Sequence, residues 1–450
     1  MNITVSEIEG CACSICEISA NSDSDYFVRA FGESRRFAAT SETVADAFGF
    51  CPLHGAALLS QEGLSRGIVR VFRNVIPSVM PSLVEKHIRA ERYQRIFFAA
   101  RTACPACAYD DRIVARHIAR LACQFSNAPD QTTPRHLAML CVTHMQLLAE
   151  GLKPTIRLAA LAQYIDDLDE TVRAMDIYNS PEGEMTAWSY EEAILFHALN
   201  LVGGRPTPEP NPEKSALAEA LHRCPTLAAG IADANACPLC IERARARQRW
   251  IQNVPTSARH VQDAWLFFPT CPEHIGAVAR LGYPKLTTAV ATHALHIVRR
   301  QLRQRVLLLI REAESRTAAA EARKAHNKRT KPQTENPKPV APRTTRCPGC
   351  ERLGIAEAHA SGRLLELLQE EKHRIAFGRG YGLCMKHFAE VYMIAPQGVV
   401  RSILAESQRD RLAKFAHMLD EAAIGHAKKG SSVSQAAPWR LELHRFCGFT

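Results

Sequence analysis

Four times along this 450-residue chain a Cys-x-x-Cys pair is followed, after 34, 33, 30 and 33 intervening residues, by a Cys-x-x-His pair. The sets in order are Cys13/Cys16 with Cys51/His54, Cys104/Cys107 with Cys141/His144, Cys237/Cys240 with Cys271/His274, and Cys347/Cys350 with Cys384/His387. They use twelve of the sixteen cysteines, so the pattern accounts for most of the thiol chemistry available. Three thiolates and one imidazole form the donor set of a closed tetrahedral zinc site, whereas a catalytic zinc keeps a position for water. The spacing therefore predicts about four structural Zn2+ ions per chain, one closed by each repeat. Iron–sulfur ligation draws on the same thiolates and is the lesser alternative. A dithiol redox role needs a βαβ context that the residues do not suggest. A zinc site that opens on oxidation would join the two readings in a redox-responsive metalloprotein.

The flanking residues suit this chemistry. Proline follows the cysteine at Pro52, Pro105, Pro238, Pro272 and Pro348. Its fixed φ fits a tight turn and the first turn of a helix. A helix N-terminus also favours the thiolate form that a metal requires. Cys11 competes with Cys13 for the first ion, but Cys13 alone keeps the two-residue spacing. Cys123, Cys224 and Cys447 stand outside the pattern and read as buried or incidental thiols.

The elements that must position these ligands are helices. After Gly63, the apolar residues Ile68, Val71, Phe72, Val75 and Ile76 follow the i, i+3, i+4 spacing of one helix face. Pro77 and Pro81 interrupt it and predict a kink, with a second helix from about Leu83 to Arg101. One apolar face continues through Val290, Ala294, Ile297, Val298, Leu302 and Val306, and another through Leu412, Phe415, Ala416 and Leu419. No series of alternating strands competes, so the class is all-α. The domain reading is repeat 1 over 1–101, repeat 2 over 102–177, a helix and Pro/Gly-rich linker over 178–213, repeat 3 over 214–322, a basic linker over 323–346, repeat 4 over 347–430 and a tail over 431–450. The helix expected in 178–213 covers Trp188 to Leu201.

With those residues laid out, the chain resembles an uncharacterised group of bacterial helical proteins, a domain of unknown function. Its marks are Cys-Pro-x-Cys and an aromatic and glycine just before Cys-x-x-His. The matching residues are Gly49-Phe50-Cys51-Pro52-Leu53-His54 and Tyr381-Gly382-Leu383-Cys384-Met385-Lys386-His387. The resemblance implies a small helical metal-binding module, here in four copies, and no particular task.

Other signals weigh less. Gly63-Leu64-Ser65-Arg66-Gly67 has the form of a nucleophile elbow, but that motif needs a preceding strand and an α/β sheet. Gly378-Arg379-Gly380-Tyr381-Gly382 leads straight into Cys384 and reads as the bend that delivers the ligand turn. His293 and His296 share a helix without an evident acidic partner in sequence. No catalytic constellation remains once the ligands are assigned, so an enzyme is not expected. The N-terminal residues show neither a basic nor an apolar signal region, and the hydrophobic runs are too short to span a bilayer, so a cytoplasmic protein with reduced thiols is expected.

The formal charge of +10 permits an acidic partner without requiring one. Twelve Lys or Arg face three acidic residues between Cys237 and Arg311, with Arg243, Arg245, Arg247 and Arg249 alternating along one helix. The linker 323–346 adds eight more basic residues, among them Lys328, Arg329 and Lys331. Two functions of different kinds follow. One is a scaffold, adaptor or regulator whose helical faces bind a protein partner. The other is a nucleic-acid-binding regulator using these basic residues.

Overall fold

In the computed structural model, residues 13–61, 63–80, 104–127, 140–178, 198, 216–257, 274, 284–325, 347–429 and 438–447 are described. Among them are sixteen α-helices and no strand, the all-α class expected. None is long and apolar enough to cross a membrane. The basic linker beyond Ala325, the Gly/Pro-rich stretch and the helix expected over Leu83–Arg101 lie outside the described residues. So does the helix expected over Trp188–Leu201, apart from Ala198, which is helical.

Every described ligand pair is the first turn of a helix. The helices α1 (Ser14–Gly32), α5 (Pro105–Asn127), α10 (Pro238–Ser257) and α12 (Pro348–Leu367) begin at the four Cys-x-x-Cys turns. The helices α3 (Pro52–Ser60), α6 (Val142–Gly151) and α14 (Met385–Ile394) begin at Cys-x-x-His turns. In all seven the leading cysteine's carbonyl accepts the first i+4 hydrogen bond, as Glu17 N–H to Cys13, Ala108 N–H to Cys104 and Phe388 N–H to Cys384 show. The first ligand thus occupies the N-cap and the second lies three residues on, on the same side of the turn.

Two compact units emerge, each built from three separate stretches. Unit I takes Met1–Ile18, Val114–Thr207 and Ile251–Glu351, and unit II takes Ser19–Ile113, Pro208–Trp250 and Arg352–Thr450. These are not the consecutive segments read from the sequence. The divisions fall inside α1, α5, α10 and α12.

The core of unit I joins the long helices of repeats 2 and 3, α7 (Pro154–Tyr178) and α11 (Pro284–Ala325). Leu161, Tyr164, Leu168 and Val172 are buried with Ala291, Leu295, Val298 and Leu302. Arg299 and Arg303 both pair with Asp169, at 3.2 and 2.5 Å.

The core of unit II joins the long helices of repeats 1 and 4, α4 (Ser65–Val79) and α15 (Val399–Lys429). Phe72 lies 6.5 Å from Phe415 and 6.0 Å from Phe446, ring centre to ring centre. The short helix α2 (Phe37–Asp46) packs on α4 as well. The face read from the sequence, Ile68 to Ile76, is buried in full. Helix α4 runs through Pro77 and ends at Val79. In the last turn of a helix a proline forfeits one backbone bond at most, so Pro77 does not end the helix as expected, while Pro81 lies outside the described residues. Gly67 explains the elbow-like motif by packing: a methyl group there would lie 1.8 Å from the Phe31 carbonyl oxygen. Ser65 in the same motif accepts from Arg440 at 2.9 Å and starts α4.

Candidate metal centre

Four clusters of thiol and imidazole form, and they correct the pairing expected from sequence. Cys13 and Cys16 meet Cys141 and His144; Cys104 and Cys107 meet Cys51 and His54; Cys237 and Cys240 meet Cys384 and His387; Cys347 and Cys350 meet His274. Each Cys-x-x-Cys turn of one repeat is completed by the Cys-x-x-His turn of its neighbour. Cys271 and Cys11 lie outside the described residues. The first and last clusters belong to unit I, and the middle two to unit II. The reason for the crossing is the length and direction of the helices. In repeats 1 and 4 the first helix meets its own repeat's histidine at mid-length, Asp23 at His54 and Glu357 at His387, about 15 Å along the rod from the cysteine pair at its start, too far for that pair to share the ion.

The dimensions fit one ion per cluster. Within each, the donor atoms lie within 4.8 Å of one another. A tetrahedron of Zn–S bonds of about 2.3 Å has S···S edges of about 3.8 Å. The observed edges are 3.8 Å for Cys16–Cys141 and 3.9 Å for Cys51–Cys107 and for Cys240–Cys384. The Nδ1 atoms of His144, His54 and His387 approach the sulfurs at 3.1–3.4 Å. His274 Nδ1 lies 3.5 Å from Cys350. The described thiols are free cysteines rather than disulfides.

Crowding of thiols fixes how the donors hold their protons. Hydrogen bonds from Cys141 and Cys16 drive Cys13 far below the usual thiol range, and those from Cys107 and Cys51 do the same to Cys104. Cys107 is driven up by its bonds with Cys104 and Cys51, and Cys141 by its bonds with Cys13 and Cys16. Burial opposes a charge on His54, but bonds to Asp23, Cys104 and Cys51 push it up to about 12. Burial opposes His144 too, and Cys13 and Cys16 raise it to about 9. A divalent cation entering such a set displaces these protons, so its binding is coupled to pH.

Polar residues around the clusters carried no sequence signal. His54 Nε2 is 2.9 Å from Asp23 Oδ1, and His387 Nε2 is 3.1 Å from Glu357 Oε1. Glu357 also takes Arg243 at 2.8 Å and Lys386 at 3.5 Å. Burial works against its charge, yet His387, Arg243 and Lys386 bring its pKa down to about 2. The loops before the second and fourth Cys-x-x-His turns are each held from the long helix of the same repeat. Tyr164 donates to the Leu140 carbonyl at 2.8 Å, and Arg411 donates to the Leu383 carbonyl at 2.6 Å. Gly49 and Gly382, the glycines of the family-like motif, have φ of +100° and +73°, which the bend into the ligand turn requires.

Two of the expected nucleic-acid residues, Arg243 and Arg245, are engaged within the protein. Arg243 binds Glu357, Arg245 binds Glu242 and the Cys224 carbonyl, Arg247 is half-buried and Arg249 is exposed. Lys328, Arg329 and Lys331 lie outside the described residues. His296, expected to lack an acidic partner, lies 3.5 Å from Asp176. Of the remaining thiols, Cys224 and Cys447 are buried and Cys123 is exposed. No family model, no characterised protein and no solved structure matches the chain.

Proposed function

We infer that the chain is a non-enzymatic zinc protein, a helical scaffold, adaptor or regulator that presents its faces to a protein partner. The observation that carries this is the edge length of the clusters: S···S separations of 3.8–3.9 Å match a single tetrahedral zinc. One ion's shell, rather than the larger span of a multi-iron cluster, accounts for donors within 4.8 Å of each other. Four protein donors close each of the three clusters whose ligands are all described, which supports a structural rather than a catalytic role. The motif resemblance to bacterial helical metal-binding modules supports the same reading. Use of Arg243 and Arg245 within the protein weakens the nucleic-acid reading.

Elemental analysis of the protein purified without chelator, beside a visible spectrum, tests this. About four zinc per chain and no colour is the expected result. Iron with visible absorption, or a folded chain free of metal, would overturn it.

A further inference from the structure

Helix α11 outruns its neighbour in unit I. It has 42 residues against 25 in α7, so at about 1.5 Å per residue it is about 25 Å longer. Its buried side chains stop at Leu302, and from Arg303 to Ser315 no residue of α11 is buried. Leu307 and Leu308 are 56% and 58% exposed there, and Ile310 is 38% exposed. Single exposed apolar side chains are ordinary on a protein surface. What sets this stretch apart is the pattern of charge around them.

Arg300, Arg303, Leu307, Ile310 and Glu314 recur at alternating steps of three and four residues, the spacing of a helix-pairing seam. All five are exposed. At about 100° per residue this stripe points away from Leu295, Val298 and Leu302, which face the core of unit I. Laid parallel on an identical stripe, it would set Arg303 on Arg303 and Glu314 on Glu314, and like charges repel. Laid antiparallel about the midpoint of Leu308 and Leu309, it sets Leu307 on the partner's Ile310 and Arg303 on the partner's Glu314. Symmetry makes each of these contacts twice. Arg303 also takes Asp169 of its own chain, yet its side chain stays 53% exposed with donors to spare. Glu314 has no ion-pair partner among the described residues.

We propose that this stripe is a homodimer interface, on which a second copy of the chain docks its own α11 antiparallel. A two-fold contact needs one patch that complements itself, and here both the apolar pair and the opposite charges do so. With Leu307 and Ile310 alone at its apolar centre the contact is small, so the dimer is reversible and depends on concentration. In naming a partner for one face of the protein, the dimer rests on the scaffold reading above. It does not depend on the metal, so a monomeric chain that carries zinc would sink the dimer alone.

The test is sedimentation equilibrium of the purified full-length chain over a range of concentrations. Wild type is expected to pass reversibly from monomer to dimer. Each substitution enters a two-fold contact twice, so Leu307→Asp and Ile310→Asp should each raise the dimer dissociation constant about a hundredfold or more. Leu308→Asp should leave it unchanged, because Leu308 is as exposed as Leu307 but lies off the stripe. Arg303→Glu and Glu314→Arg should each weaken self-association, and an equimolar mixture of the two should restore a dimer, since both ion pairs are then matched. If Arg303→Glu unfolds unit I by losing Asp169, as circular dichroism would show, the three apolar variants decide. A wild-type chain that is monomeric at its highest soluble concentration would overturn the proposal and leave the face to another protein or an anionic surface. So would a dimer that survives Leu307→Asp and Ile310→Asp, one that falls as readily with Leu308→Asp, or folded charge variants that do not pair when mixed. Zinc content of the same samples tests the metal reading separately.

Discussion

Asp233 builds the turn that delivers the third Cys-x-x-Cys pair, four residues ahead of Cys237. Its Oδ1 accepts the N–H groups of Asn235 and Ala236 at 2.7 and 2.9 Å, and its Oδ2 accepts from Arg223 at 3.2 Å. Burial opposes its charge, but Asn235, Arg223 and the Cys224 thiol hold its pKa below the ordinary aspartate value. A depressed carboxylate contributes stability that is present above the unfolded value of about 3.9 and is lost as pH falls through the folded one. Asp233→Asn should therefore be less stable than wild type at pH 6, by on the order of 2 kcal/mol. In urea melts the difference should shrink below about pH 4; a gap that stays constant down to pH 2 would refute the assignment. Gly382 illustrates a steric version of the same control. Its φ is +73°, and a Cβ would lie 2.4 Å from the Arg411 guanidinium. Gly382→Ala should cost about 1–3 kcal/mol in thermal denaturation, and an unchanged melting temperature would argue against the bend.

At the scale of the elements, a ligand turn is a helix start, and a helix is a rod that separates its start from its end. Helix α1 spans nineteen residues, so Cys13 at one end and Asp23 in the middle serve different clusters. This makes the crossed pairing measurable by counting metal. Cys13→Ser with Cys141→Ser removes two ligands from one cluster and should leave about three zinc per chain. Cys13→Ser with Cys51→Ser touches two clusters and should leave about two. The consecutive pairing expected from sequence requires the opposite ranking, so elemental analysis of the two variants decides between them.

For the whole molecule, each unit depends on both halves of the chain. Arg73 pairs with Asp420 at 2.7 Å in unit II, and Arg299 pairs with Asp169 in unit I. The aromatic contact of Phe72 with Phe415 and Phe446 likewise joins residues more than three hundred positions apart. Fragments 1–207 and 208–450 each contain two complete ligand sets by sequence, yet each would expose half of both cores. Expressed alone, they should aggregate or lose cooperative unfolding, and co-expressed they should form a one-to-one complex on size exclusion. Two monomeric fragments, each melting cooperatively, would show that the halves fold independently. Metal held at the four clusters would add to this cohesion. Structural zinc contributes about 10–16 kcal/mol of apparent binding energy in small zinc domains. Chelation of all sites should therefore reduce helicity, read by circular dichroism.

Much of this was legible in the residue order. Cysteine and histidine at two-residue spacing identify ligand turns because the chemistry is local, and proline after cysteine marks a helix start for the same reason. The all-α class and the buried face of α4 follow from periodicity, a property of neighbours along the chain. Which turns share an ion was not legible, because all four spacings permit a closed set within one repeat. That choice depends on where rigid helices carry their ends, as α1 starts at Cys13 beside Cys141 and carries Asp23 to His54. Nor could Asp23 or Glu357 be distinguished from the other acidic residues before their helices placed them against His54 and His387. Donor identity belongs to the sequence; partnership between donors belongs to the tertiary structure, because it joins groups separated by as many as 150 positions, as Cys237 is from His387.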